Sequence, residues 1–315
     1  MSEIGYFLSS EEHGPKALLE FARMGEEAGF RSVLISDHYH PWTDRQGQSP
    51  FVWGVIGAIA GATRLHVTTG VTCPTVRIHP AIIAQAAATS SLLLEGRFAL
   101  GVGSGENLNE HILGDRWPPA PARLAMLEEA VRIMRRMWEG DWVTHHGEHY
   151  TVENARIYSC PEEPPPVYVS AFGPKALSLA ASIGDGFVNT KPDPDAVKQY
   201  REQGGKGPVI ANLKVCWGPD EKKALKLAQE VWPTTGVPGA LNQELPMPAH
   251  FEQASQIVTE EMIGEVTACG PDPERHRSAI AEYLEAGYDK VYVSQIGDDQ
   301  AGFLDFYFKA VAPRL

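Results

Sequence analysis

FALGVGSGENLNE, residues 98–110, is the stretch on which the fold turns. An apolar run breaks into a glycine-rich turn, GVGSGE at 101–106, and then into acidic and amide side chains. In an open doubly wound sheet the phosphate-cradling turn follows the first strand with G-x-G-x-x-G spacing. Here the turn follows the fourth apolar run and lacks that spacing. Three runs precede it: IGYFLS (4–9), SVLISD (32–37) and LHVTTGV (65–71). Four follow it: VYVSAF (167–172), GFVNT (186–190), VIANLKVCW (209–217) and KVYVSQI (290–296). Several do not alternate apolar with polar and are rich in Val, Ile, Leu and Phe, as strands covered on both faces should be.

Helical periodicity fills the gaps between the runs. PKALLEFARMGEEAGF starts on Pro15 and stops at Gly29, with proline in the first turn and glycine past the last. PARLAMLEEAVRIMRRMWEG places Leu124, Leu127, Val131, Met134 and Trp138 on one stripe. Eight β-then-α units predict a (β/α)8 TIM barrel running through residues 1–315 as a single domain. The rhythm breaks twice. Residues 140–166 read as a β-hairpin and a proline-rich connection, and residues 233–258 as a Gly/Pro-rich insertion. In a barrel, insertions of this kind shape the mouth or an oligomer contact.

The chain has 315 residues, 43% hydrophobic and 21% charged, with a net charge of −13. That balance is globular, and its sign opposes nucleic acid and anionic membrane as partners. No run of eighteen apolar residues occurs, and the expected location is the cytoplasm. Four dispersed cysteines, Cys73, Cys160, Cys216 and Cys269, read as reduced packed thiols.

Barrel chemistry gathers at the carboxyl ends of the strands. The first strand ends toward Ser9, Ser10 and Glu11, and the second runs into Asp37, His38, His40 and Trp42. The third gives Gly70, Val71 and Thr72, and the fourth Gly105, Glu106 and Asn107. Later strands deliver Ala171–Phe172–Gly173, Asn189–Thr190 and Ser294–Gln295. His38 is either a histidine bonded to a neighbouring carbonyl or a proton carrier, since neutral imidazole accepts protons near neutral pH. The H-x-H pair His38/His40 also suits a metal, but strands five to eight end without further ligands, so no metal is expected. HHGEH (145–149) has metal-like composition and reads as a solvated hairpin tip. Glu106 is either a first-turn carboxylate favoured by a helix dipole or an acid held over a cofactor. The helix opening after Gly173 offers free N–H groups to a phosphate.

The combination SDHYHPW (36–42), TTGVTCPTVRIHPAIIAQAAATSSLLLEGRFALGVGSGENLNE (68–110) and GDGFVNT (184–190) resembles the bacterial-luciferase-like barrel superfamily. It is most similar to the branch that uses the deazaflavin coenzyme F420, and within that branch to the F420-dependent glucose-6-phosphate dehydrogenases. The similarity is dense from residue 30 to 190 and thins across 233–260. The resemblance implies that His38 takes the proton from a substrate hydroxyl, that Trp42 packs beside the reacting centre, and that Glu106 is the acid near the deazaflavin. It aligns a further glutamate with Glu11, and makes Asp37 a coenzyme contact. It puts a non-proline cis peptide at Gly70–Val71 under the ring. Thr72, Gly105, Asn107 and the turn Ala171–Phe172–Gly173 would line the coenzyme, with Phe172 larger than the pattern expects. A homodimer is implied as well.

The substrate-phosphate site departs from the pattern. Thr190 matches the threonine, but the lysine three positions on is Asp193, the second lysine falls near Leu241 or Asn242, and the arginine becomes Glu265. Two cation-to-anion changes oppose a phosphate dianion. The expected activity is therefore hydride transfer between F420 and an alcohol or sugar other than glucose 6-phosphate. The rival readings are an FMN-dependent monooxygenase, a non-catalytic F420-binding protein and, more distantly, a metallohydrolase.

Overall fold

The computed structural model describes residues 3–237 and 239–315. Eight strands match the eight apolar runs: β1 (Glu3–Leu8), β2 (Ser32–Ile35), β3 (His66–Thr69), β4 (Phe98–Val102), β5 (Val167–Ser170), β6 (Gly186–Asn189), β7 (Val209–Cys216) and β8 (Lys290–Gln295). Each pairs in parallel with the next, and β8 pairs with β1 through Tyr292 opposite Gly5 and Val293 opposite Tyr6, which closes the barrel. The crossovers are α1 (Pro15–Ala28), α2 (Val52–Ala62), α3 (Pro80–Leu93), α4 (Ala120–Trp138), α5 (Pro174–Ile183), α6 (Pro194–Glu202), α7 (Glu221–Val231) and α8 (Pro273–Glu285). The expected (β/α)8 architecture is borne out.

Two apolar layers hold it. The outer one lies between strands and helices and takes Leu127, Val131, Met134 and Trp138 from the predicted stripe of α4. Each such side chain contributes roughly 1.5–3 kcal/mol by leaving water. The inner layer is smaller: Phe7, Leu34, Val188, Ile210 and Tyr292, with Tyr168 and Val71 against them. The two tyrosines dictate where the barrel needs glycine. A Cβ at Gly5 would sit 2.4 Å from the Tyr292 ring, and one at Gly186 would sit 2.5 Å from that of Tyr168. With buried residues on both faces, the strands have no reason to alternate, and that explains the pattern in the sequence.

The two breaks in the rhythm sit where they can brace the carboxyl end. Strands Val143–His146 and Thr151–Ala155 form the predicted hairpin. Its tip is pinned, not merely solvated: Glu129 of α4 accepts from His145 Nε2 at 2.9 Å and from the backbone N–H groups of His149 and Tyr150 at 3.1 Å. Tyr150 then donates to the carbonyls of Pro74 and Thr75, so the hairpin steadies the loop after β3. The second insertion carries short helices Leu241–Glu244 and Pro248–Ala254. Arg123, 1% exposed, stacks on Trp117 and donates to Gln243 Oε1, while Asn107 Nδ2 donates to the Glu244 carbonyl. These contacts fold the insertion over the loop that follows β4.

Candidate active site

The carboxyl ends of β1, β2 and β4 bring their polar residues together. His38, 9% exposed, leaves β2 with its ring tilted against Trp42, centroids 5.1 Å apart. Trp42 is backed edge-on by Phe251 of the second insertion. His38 Nε2 lies 3.5 Å from Glu11 Oε1, beyond β1. The other Glu11 oxygen accepts from Ser36 Oγ at 2.6 Å and Ser9 Oγ at 3.1 Å. On its other side His38 meets Asn109, Nδ1 to Nδ2 at 3.0 Å.

Asn109 belongs to a helix of one turn, Asn107–Glu110, that the motif GENLNE forms directly after the glycine turn. The Asn109 and Glu110 N–H groups donate to the Glu106 carbonyl at 3.1 Å. Glu106 and His38 are therefore separated by one residue that touches both. The Glu106 carboxylate is partly exposed, facing neither a cap nor an ion-pair partner among the described residues. Gly105, with φ of 90°, makes the turn possible; a side chain there would also meet Glu110 and Trp117. The bond Gly70–Val71 is cis, as the resemblance implied. Gly103 packs so closely on Val71 that a Cβ would come within 2.8 Å of it.

Beneath these residues runs a buried charge network that no motif announces. Arg77, in the loop after β3, lies 3.1 Å from Asp37 Oδ1 and 3.6 Å from Glu110 Oε1. Asp37 Oδ2 accepts from Thr72 Oγ1 at 2.8 Å, and Glu110 Oε2 from the N–H groups of Val76 and Arg77. Asp37 is thus spent on Thr72 and Arg77. Burial works against the guanidinium, but the two carboxylates outweigh it and hold Arg77 above its ordinary value. Burial likewise pushes the Glu110 carboxyl up, against the pull of Arg77.

Two more ionisable groups belong to this end of the barrel. Burial pushes the Glu12 carboxyl up to about 7, although Trp232 Nε1 at 2.6 Å and Gly297 N–H at 2.8 Å donate to it. Lys214, on β7, stands 4.2 Å over the Trp232 ring. Burial pulls its ammonium down, while Glu11 and Glu12 pull it up.

The residues expected around a substrate phosphate are not assembled in this way. Thr190 is exposed at the end of β6, and Tyr283 bonds its carbonyl. Asp193 is the N-cap of α6, accepting from the Ala196 N–H at 2.9 Å. Glu265 is exposed on helix Glu260–Val266, and Leu241 is 41% exposed on the insertion. The Ala171–Phe172–Gly173 turn opens α5 with no side-chain cap, Phe172 turned out and nothing within 4 Å of a Cβ at Gly173. Among the described residues no cluster of three metal-ligating side chains occurs. A cleft of about 360 Å³ runs between α4 and α5, and one of about 170 Å³ opens at the amino end of the barrel beside His66 and Arg97. Neither is lined by Glu11, His38 or Glu106, so the site is located by its converging side chains.

A family model described as luciferase-like monooxygenase matches residues 1–290. The chain belongs to that family. Among its luciferase-like relatives, the F420-dependent glucose-6-phosphate dehydrogenase of Microbacterium testaceum (strain StLB037) is 37% identical, over 99% of this chain and 96% of the relative. A solved F420-dependent secondary alcohol dehydrogenase, in complex with an F420-acetone adduct, superposes with a TM-score of 0.92 at 30% identity, covering 99% of this chain and 98% of that one. The F420-dependent tetrahydromethanopterin reductase of Methanopyrus kandleri shares the fold, with a TM-score of 0.80 at 22% identity over 99% of both chains.

Asn109, Arg77, Glu110, Glu12 and Lys214 were missed by sequence reasoning. Asn109 and Glu110 stand inside the quoted motif, where their partners across the barrel leave no local trace. Lys214 did carry a signal: a lysine within an otherwise apolar buried strand.

Proposed function

We propose that this chain is an F420-dependent dehydrogenase that transfers hydride between a neutral alcohol and coenzyme F420. The observation that carries the reading is the convergence of His38, Glu11 and, through Asn109, Glu106 on one rim that also bears the Gly70–Val71 cis peptide. An alcohol oxidation needs a proton acceptor at the hydroxyl and a hydride acceptor at its carbon. When bound, F420 supplies the two-electron acceptor.

The residues present fit that coenzyme. Gly70 and Gly103, packed tightly on the Leu34 and Val71 side chains, fix a rigid floor at the cis peptide, beside the unpartnered Glu106 carboxylate. The uncapped first turn of α5, open around Gly173, suits a phosphate of the coenzyme's chain, with Asn107 and Gly105 along the way. Trp42, backed edge-on by Phe251, would shield the substrate side from water. Titration should separate the readings: F420 binding well over tenfold tighter than FMN supports this one, and tighter FMN supports a monooxygenase.

The substrate reading rests on absent cations. Thr190 remains, but Asp193 caps a helix, and Glu265 brings a negative charge. Among the described residues, Thr190, Asp193 and Glu265 offer a dianion no assembled positive site. Glucose 6-phosphate should therefore turn over at least about tenfold less efficiently than the best secondary alcohol or unphosphorylated sugar of a panel, a difference of only about 1.4 kcal/mol. A glucose 6-phosphate efficiency equal to the best alcohol's would remove the argument.

A homodimer is supported by an open apolar face on α2 and α3. Gly54, Gly57 and Gly61 have nothing within 4 Å of a Cβ, and Phe51, Ile82 and Leu93 are 64%, 58% and 54% exposed. Faces of that kind mark interfaces. Sedimentation should give twice the chain mass of 34.4 kDa. Ala58→Arg should shift it to monomer; a wild-type monomer would refute the dimer.

A further inference from the structure

One side-chain amide decides what His38 can do. Asn109 Oδ1 accepts two backbone N–H groups, Tyr39 at 2.9 Å and His40 at 3.1 Å. Both donors are main chain, fixed further because the His40 ring bonds the Leu108 carbonyl at 2.9 Å. Only one orientation of the amide satisfies them, and it turns Nδ2 toward His38 Nδ1. An amide nitrogen donates and does not accept. Nδ1 is therefore the acceptor, and in neutral imidazole the proton then sits on Nε2. Nε2 is the nitrogen that faces Glu11, so it already carries a proton and cannot take one from a substrate.

Glu11 is placed to do so. Its Oε2 is held by Ser36 and Ser9, while Oε1 accepts no hydrogen bond from the described residues and looks across 3.5 Å at Nε2. That gap is too long for a good N–H···O bond. An alcohol oxygen beside it could accept from Nε2–H and donate to Oε1, using both of its hydrogen-bonding functions. Lys214 and His13 both feel the charge of Glu11, and Glu12 adjoins it in the chain; Asp37 is turned away onto Arg77.

We infer, resting on the dehydrogenase reading, that Asn109 fixes His38 as its Nε2–H tautomer, so that His38 donates a hydrogen bond to the substrate oxygen and Glu11 receives the proton. The C–H bond breaks with both electrons leaving as hydride to F420. The O–H bond breaks with its proton going to Glu11 Oε1, and the carbonyl forms. His38 holds the same protons before and after. The family resemblance assigns that proton to His38; the amide assigns it to Glu11. Asn109 is a positioning residue.

The test is ¹⁵N NMR of the coenzyme-free protein, histidine-labelled, at an alkaline pH where imidazole is neutral. His38 is identified by the signal missing in His38→Gln. The expected spectrum shows a bare Nδ1 and a protonated Nε2. Asn109→Asp keeps an oxygen for the two backbone donors but has nothing to donate, so the pattern should invert to Nδ1–H. Turnover in that variant should fall by about tenfold or more, the scale of a misplaced acid–base group, without matching loss of F420 affinity. A wild-type His38 protonated on Nδ1, or an Asn109→Asp spectrum like wild type, overturns the inference whatever the coenzyme does. A correct tautomer with no F420 binding instead overturns the dehydrogenase reading and leaves the tautomer standing.

Discussion

Replacing Arg77 with methionine should lower the free energy of unfolding by about 3–5 kcal/mol, the cost of stranding buried charges. Arg77 is 6% exposed, and its partners Asp37 and Glu110 are 1% and 0% exposed at the side chain. Methionine keeps much of the aliphatic volume, so the loss isolates the charge. The deficit should also depend on pH. Burial holds Glu110 above its ordinary value even with the guanidinium present. Without it, the Glu110 carboxyl binds its proton still more tightly folded than unfolded. A carboxyl of that kind contributes less as pH rises from the unfolded value upward. The variant's deficit should accordingly be smaller near about pH 5 than near about pH 8 by denaturant titration. A deficit below about 1 kcal/mol, the level of an exposed pair, would mean that the network is wet.

The second large effect concerns the proton. Glu11→Gln keeps an oxygen for the Ser36 and Ser9 hydroxyls but removes the acceptor, and kcat should fall by about 10²–10⁴-fold, the full contribution of a general base. His38→Gln can still donate from its amide and should lose less than Glu11→Gln. If imidazole were the base, the order would reverse. Steady-state rates at saturating F420 and alcohol check it, and the reversed order would return the proton to His38.

The eight strands were legible because burial on both faces writes itself into each strand locally, as in VIANLKVCW. The closure of β8 on β1 left its own mark, since Gly5 yields to the Tyr292 ring, as Gly186 of β6 yields to Tyr168 of β5. The single-residue assignments at the rim came from the resemblance and not from periodicity, and the cis bond at Gly70–Val71 is where that resemblance could be checked against the backbone. What stayed hidden was pairing between residues distant in the chain. Arg77 reads as an ordinary loop cation until Asp37, forty positions before it, and Glu110 close around it. HHGEH looked like a free hairpin tip because Glu129, which pins it, lies on the preceding helix. Asp193, singled out as a lost phosphate ligand, is also an N-cap, a role that Pro194 in the first helical position permits but does not compel.

The most direct measurement is the crystal structure of the protein with F420 bound. The deazaflavin ring should lie on the Gly70–Val71 backbone, with Glu106 at one side and its hydride-accepting carbon turned toward the gap between His38 Nε2 and Glu11 Oε1. Electron density for the ring anywhere else, such as the α4–α5 cleft, or a ring whose reactive carbon faces away from that gap, would contradict the account.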